Sequence, residues 1–576
     1  KVYITTKTKT LQDQLYLKDL KFLHEKLGLN FSYTKLKWRK NYFSIKWFFD
    51  YVFLWDLSYR EVSLLSKITF WLLETKYWEL DELTFYPEEY TYLRDLNSEG
   101  IFSMNEKNQY MEYEFLLKAR KSLEKANIVI INHSLLFTDM AADSKLLPDL
   151  KSIVIDEAHN IEDSITESLR QIYNLRYLKD HFDKCEKIFT IKNIKKLDFL
   201  NKKETLLSNL DILDDYAFNY INNRIPDDSQ YKNILVKEDF FTDLDFVEII
   251  KKINLDLLDI IDKLKVISEY DFTKELVFFD SVANNINTFF DKTNSNTYIK
   301  ILTYAEKSGI TFDFTLLNPG QYLYKNLWNK LDSCLLTSAT LSIWNKFDYV
   351  KNIMSLDWFD FYSFSSDFDY KNQATLFIPT DIWSVKNNSE DMNIFLKEFF
   401  LIVRWKVLTL LTSFAVIKKI YTFCNIDLKK NGINLYAQSI WWSKNKLLSN
   451  FTKSPDNSIL LWTDSFWEWV DIPGEDLKYL VIHKFPFAVP NDPIFQARSA
   501  FFKDSFSEYA VPKAIIKLKQ WFGRLIRTKS DKWIVILLDD RISSKWWNQF
   551  YDAFPADINI KKWTKKQFLE ILEKKQ

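Results

Sequence analysis

Glycine is what this sequence lacks most. An average chain of this length would carry about 40 at the usual ~7%. This one, 576 residues long, has 7, beside 20 tryptophans. Cysteine is scarce too. Cys185, Cys334 and Cys424 lie far apart, which excludes a Cys-x-x-Cys site and any disulfide framework and makes a reducing cytoplasm the expected setting. Net charge is absent, with 78 basic residues against 78 acidic ones. No overall basic field advertises nucleic acid, so any such surface would have to be a local groove. Long apolar runs are missing as well: the most apolar window, residues 407–417, is flanked by Lys406 and Lys418 and is too short to span a bilayer. It reads as a buried strand and its continuation, and no membrane partner is expected. What is present is 47% hydrophobic content in a chain too long for one core, which points to three or four globular domains.

The stretch that organises the chain is KSIVIDEAHNIED, residues 151–163. An apolar run ends in Asp156 and Glu157, then Ala158 and His159, then a pattern that suits a helix start. This is the layout of a buried parallel strand delivering carboxylates to its C-terminal edge, where open α/β sheets bind ligands. Nucleotide chemistry needs two acids at such a place, one to hold Mg²⁺ through its water shell and one to orient the attacking water. Asp156 suits the first role and Glu157 the second. An isolated Asp-Glu pair is more often merely solvated; DEAH after a strand is far more specific.

The chain begins with Lys1 rather than Met, inside a strand-like run, KVYITT, that leads through a Thr/Lys-rich turn into a helix start. LKWRKNYFSIKWFF, residues 36–49, mixes basic and aromatic residues and reads as a packing surface more readily than a nucleic-acid contact. Before the DEAH strand come a charged helix and a strand, NIVIINH, carrying Asn132 and His133. Residues 164–308 are long, charged and Leu/Ile-periodic and read as a helical insertion. DSCLLTSATLS, residues 332–342, is an apolar strand ending in hydroxyls, which can cap a helix or couple a phosphate site to a neighbouring domain. From about residue 347 a second α/β unit follows, and in its KLKQWFGRLIR a helix would place Gln520, Arg524 and Arg527 on one face. Arginines so placed can stabilise the charge that develops on a γ-phosphate.

Taken in order, ITTKTKTLQDQL, INHSLLF, VIDEAHNIED, LTSATLS, LLWTDSFWEWVDIPG, VIHKFPFAVPNDP and QWFGRLIR resemble the motifs of the DinG/XPD branch of superfamily-two helicases almost end to end. The resemblance implies an α/β fold of two RecA-like P-loop NTPase domains, the first carrying a helical, arch-like insertion and a cysteine-free remnant of the family's iron-sulfur region. The first domain would comprise residues 1–34, 131–163 and 309–346, the iron-sulfur-like insertion 35–130, the arch 164–308, and the second domain 347–576. The implied activity is ATP- and Mg²⁺-dependent translocation on single-stranded DNA with 5′ to 3′ unwinding, by a monomer acting at DNA junctions in repair or replication. By the same resemblance His159 would link the ATP site to the DNA path, and Thr337, Ser338 and Thr340 would couple the domains. Thr6, Lys7, Thr8, Asn132 and His133 would lie along the DNA. Gln520, Arg524 and Arg527, with Asp471 and Gly523, would serve the nucleotide, Arg527 as arginine finger.

Three departures qualify it. The family's phosphate-binding loop should precede ITTKTKT, and nothing precedes it here, so the sequence is expected to be N-terminally truncated. The family's NYLC-like segment reads NYFS, with Ser44 at the cysteine position and no cysteine in residues 35–120, so no iron-sulfur cluster is expected. Tryptophan stands at family glycine positions: Trp38, Trp78, Trp462, Trp469 and Trp521, with Trp405, Trp441, Trp442 and Trp533 as weaker cases, whereas Trp71 and Trp467 match family tryptophans. The largest side chain makes no steric sense in turns that need φ > 0 or close backbone approach. A UGA codon that encodes glycine in the source but was translated as tryptophan explains the pattern, and it leaves the acids and arginines intact. The competing expectation is a non-catalytic nucleic-acid-binding remnant of such a helicase.

Overall fold

A computed structural model describes the chain except residues 55–56, 100–109, 143–145, 196, 227–228, 243, 382–388, 404, 439, 441–443, 455–456, 464–476, 524–525, 527, 530, 544–546, 551–552, 556 and 576. It divides into two compact units. The first is Lys1–Ser338 with Ile353–Ser355 and Pro493–Arg498; the second is Ala339–Asn352, Leu356–Asp492 and Ser499–Gln576. The chain therefore first crosses over at Ser338, inside the TSAT run and before the boundary expected after residue 346.

In the first unit the strands are β1 (Val2–Thr6), β2 (Tyr33–Lys35), β3 (Ile128–Asn132), β4 (Ser152–Ile155), β5 (Gln171–Asn174), β6 (Tyr231–Leu235), β7 (Tyr298–Ala305), β8 (Gly309–Leu316) and β9 (Ser333–Leu336). A five-stranded sheet runs β2-β3-β1-β4-β9, and every pairing in it is parallel. Its central strands are buried on both faces, which is why IVIIN and VYITT read as near-continuous apolar runs. At the C-terminal edge, capping side chains turn strand into helix. Thr8 accepts from the Leu11 N–H to open helix Lys9–Gln14, and Asn132 accepts from Leu135 N–H to open His133–Ala141.

The stretch expected as a purely helical insertion also contains sheet. Helices Leu175–Ile191, Leu197–Asn222, Leu244–Lys265 and Thr273–Phe290 pack on an antiparallel sheet of order β5-β8-β7-β6. Phenylalanine dominates their shared core, with Phe182, Phe189, Phe240, Phe279, Phe289 and Phe312 all buried, and Cys185 sits among them. Arg170, at the entrance to β5, donates from Nε to both carboxylate oxygens of buried Asp313 at 3.0 and 2.9 Å, which fixes the base of this layer.

The second unit holds β10 (Ala374–Pro379), β11 (Lys406–Leu411), β12 (Asn434–Ala437), β13 (Ser458–Thr463), β14 (Leu477–Ile482), β15 (Trp533–Leu537) and β16 (Asn559–Trp563). These form one parallel sheet of order β12-β13-β11-β14-β15-β10-β16. Ser413 caps the helix Phe414–Lys430 that follows β11, so the apolar window at 407–417 is a strand and the first turn of that helix. Among the described residues no helix is long and apolar enough to cross a membrane.

Candidate active site

In the first sheet the chain goes from β1 to the edge strand β2, returns through β3, and then passes to β4 and β9 on the other side of β1. Strand order reverses between β1 and β4, and in open α/β sheets the crevice outside the strand ends at such a point is where ligands bind. The acids and the Thr/Lys turn meet there.

Asp156 leaves β4 with its N–H bonded to the Thr5 carbonyl at 2.9 Å, so the acid is indexed to β1. Its carboxyl is raised above the usual range, chiefly by burial, against which the Glu157 backbone N–H works. Glu157 has φ 51°, the left-handed region that non-glycine residues rarely adopt. Ala158 N–H bonds to Thr337 O at 3.0 Å, and Thr337 N–H to Ile155 O at 2.9 Å, which stitches the strained turn to the end of β9. Backbone strain held by its surroundings in this way is typical of functional sites.

His159 places Nδ1 2.7 Å from Ser338 Oγ and 3.3 Å from Glu157 Oε2. Its Nε2 lies 2.7 Å from Asn160 Nδ2, and Asn160 Oδ1 accepts from Lys7 Nζ at 2.8 Å. Asn160 and this use of Lys7 carry no local sequence signal, because the two are 153 residues apart. His133 is buried, with Nε2 donating to Asp156 O at 2.9 Å and Nδ1 3.3 Å from Ser164 Oγ. Burial pushes its imidazole down to about 4, so it is neutral and acts as a brace behind the acid.

Of the residues that the resemblance puts along DNA, Thr6, Thr8, Asn132 and His133 are buried, and their side chains serve the local architecture. Thr6 Oγ1 bonds to Thr8 O at 3.1 Å, and Thr8 and Asn132 are helix caps. Thr340 is a buried residue of the second unit. Gln520 lies on the helix Val511–Gly523, with Gly523 its last described residue. Asp471, Arg524 and Arg527 fall outside the described residues, as does Trp469.

Arg498 likewise escaped the sequence reading. Arg498 is buried in the first unit, donating to Glu162 Oε1 at 3.1 Å, Thr166 Oγ1 at 2.7 Å and Leu316 O at 2.9 Å. Glu162 and Thr166 lie on helix Ile161–Leu169, which follows the DEAH turn directly.

Asp156, an oxygen donor at the end of a parallel strand, is the residue that would hold a divalent cation. The 35–120 region does not suit an iron-sulfur cluster. It offers no thiolate, and at the family's cysteine position Ser44 Oγ bonds to Glu114 Oε1 at 2.9 Å in a buried node.

Residues 79–174 match the DEAD_2 family, and residues 396–557 match the helicase C-terminal domain family. Over 620 residues the chain is 25% identical to the 3'-5' exonuclease DinG of Bacillus subtilis, covering 96% of this chain and 65% of that protein. It is 26% identical to the ATP-dependent DNA helicase YoaA of Haemophilus influenzae, over 94% of this chain and 84% of the relative. Among solved structures, an XPD helicase superposes with a TM-score of 0.55 at 17% identity, covering 98% of this chain and 91% of that one. The fold is thus that of an XPD-like helicase with two RecA-like domains. Motifs, family matches and fold agree in their likeness to the DinG/XPD-like superfamily-two helicases.

Proposed function

We propose that this chain is the motor part of an ATP-dependent DNA helicase that translocates on single-stranded DNA, unwinds 5′ to 3′, and acts as a monomer at junctions in repair or replication. The observation that carries the reading is the set Asp156, Glu157 and His159 at the switch point between β1 and β4, with His159 held by Ser338. Asp156 would hold Mg²⁺, whose charge would offset that of the ATP phosphates. Glu157 would orient the attacking water. Gln520, Arg524 and Arg527 keep the phosphate roles that the resemblance assigns, with Asp471 and Gly523 beside the nucleotide. The DinG relative is named an exonuclease, but the chain spans 65% of that protein's length, and no nuclease role is proposed for it.

The test is DNA-stimulated ATP hydrolysis by the full-length protein. Glu157→Gln is expected to lower turnover by at least ~10²-fold, the scale of a lost general base, while nucleotide binding persists. Retained turnover in that variant removes Glu157 from the attacking water. Absence of DNA stimulation in the unaltered protein favours the non-catalytic remnant.

A further inference from the structure

The hydrogen bonds from Lys7 to His159 have a direction that chemistry dictates. A lysine ammonium carries donors only, so the Asn160 atom that faces Lys7 Nζ at 2.8 Å must be the amide oxygen. The amide NH₂ then faces His159 Nε2 at 2.7 Å, and Nε2 must accept. A neutral imidazole with Nε2 as acceptor carries its proton on Nδ1, pointing at Ser338 Oγ (2.7 Å) and Glu157 Oε2 (3.3 Å).

We propose that Lys7 and Asn160 are positioning residues that lock His159 as the neutral Nδ1–H tautomer, so that it donates to Ser338 and Glu157. Protonation of Nε2 would set its N–H against the Asn160 NH₂ group, so the same contact opposes the imidazolium form. That matters because an imidazolium would form an ion pair with Glu157, and a carboxylate so paired is a weaker partner for a water. Asn160 is buried, and His159 has only a small exposed fraction, so the bonds compete little with bulk water. The proposal rests on the helicase reading for its consequence, but the tautomer itself does not depend on activity.

The test uses the full-length protein labelled with ¹⁵N-histidine. The chain has five histidines, and His159→Gln identifies the signal. Near neutral pH the expected pattern is a protonated Nδ1 with an unprotonated Nε2. An Nε2–H tautomer, or a doubly protonated ring, overturns the proposal. Asn160→Asp puts an acceptor where the donor was. It is expected to protonate Nε2, to raise the acid limb of the ATPase pH profile by about one unit, and to lower kcat by ~10-fold with little change in KM for ATP. Lys7→Met leaves the amide free to turn and is expected to give mixed tautomers. Unchanged ring signals in both variants also overturn the proposal. If the tautomer is as expected but the unaltered protein shows no ATPase, the positioning stands and the helicase reading is what fails.

Discussion

Among the described residues, two tryptophans hold backbone conformations that belong to glycine. Trp78 has φ 60° and Trp344 has φ 51°. For an L-residue with a large side chain the left-handed region costs roughly 1–2 kcal/mol. Trp344 and Asn345 (φ 57°) form the centre of a two-residue hairpin closed by a bridge between Ile343 and Lys346, a turn that favours glycine and asparagine. Indole chemistry separates the tryptophans further, since a buried N–H needs an acceptor. Trp71 Nε1 reaches Glu82 at 3.2 Å, as befits a position where the family has tryptophan. Trp533 Nε1 is buried with no hydrogen-bond partner among the described residues. By contrast, Trp38 is extended, Trp462 lies in β13 and Trp521 in a helix, so the backbone itself demands no glycine at those positions. We expect peptides of the natural protein to show glycine at 78 and 344 by mass spectrometry, and also at 38, 462, 469 and 521, with Trp71 and Trp467 retained. Intact tryptophan at 78 and 344 would end the recoding explanation and favour the non-catalytic remnant. The positive φ values were beyond sequence reading at Trp344, because its hairpin lies outside the motifs that flagged the other positions.

At the scale of elements, a buried polar node joins two segments that are far apart in sequence. Glu114 Oε1 accepts from Ser44 Oγ and from Lys46 N–H, both at 2.9 Å, and so ties the segment around Ser44 to the helix Phe115–Lys125. Burial pushes the Glu114 carboxyl up to about 7 from its ordinary 4.5. The folded chain thus keeps a proton between these values that the unfolded chain has released. The stability this contributes is full below about 4.5 and is lost as pH rises through about 7. Glu114→Gln keeps an acceptor oxygen without a charge to bury. It should leave the unfolding free energy nearly unchanged at about pH 4 and raise it at about pH 8, by up to about 3 kcal/mol. An equal effect at both values would show that the carboxyl ionises freely. Purified protein is also expected to contain no stoichiometric iron, and one bound cluster per chain would contradict the fit described for residues 35–120. Elements were legible where a buried parallel strand leaves a continuous apolar run, as at β1, β3, β4, β11 and β13. The antiparallel sheet was harder to read at β5 and β6, which are short, stand among long helices and pair with strands far along the chain, as in Gln171 with Phe314.

At the scale of the whole molecule, a segment from the last third of the sequence belongs to the first unit. Pro493–Arg498 returns there after the chain has already built most of the second sheet, and nothing local in VPNDPIFQAR announces it. What holds it is Arg498, whose guanidinium spends its hydrogen bonds on Glu162, Thr166 and the end of β8. Both members of the Arg498–Glu162 pair are buried, so removing one leaves the other charged and unmatched, which typically costs 3–5 kcal/mol, about what a marginally stable unit can lose. Replacing both with apolar residues should cost much less, since no charge is then stranded. We therefore expect Arg498→Met and Glu162→Leu each to lower the unfolding midpoint of the first unit markedly, and the double variant to recover most of the loss. Hydrogen exchange should place the single-variant damage on Ile161–Leu169, the helix that carries Glu162 and follows the DEAH turn. Additive losses in the double variant would show that the two residues act independently.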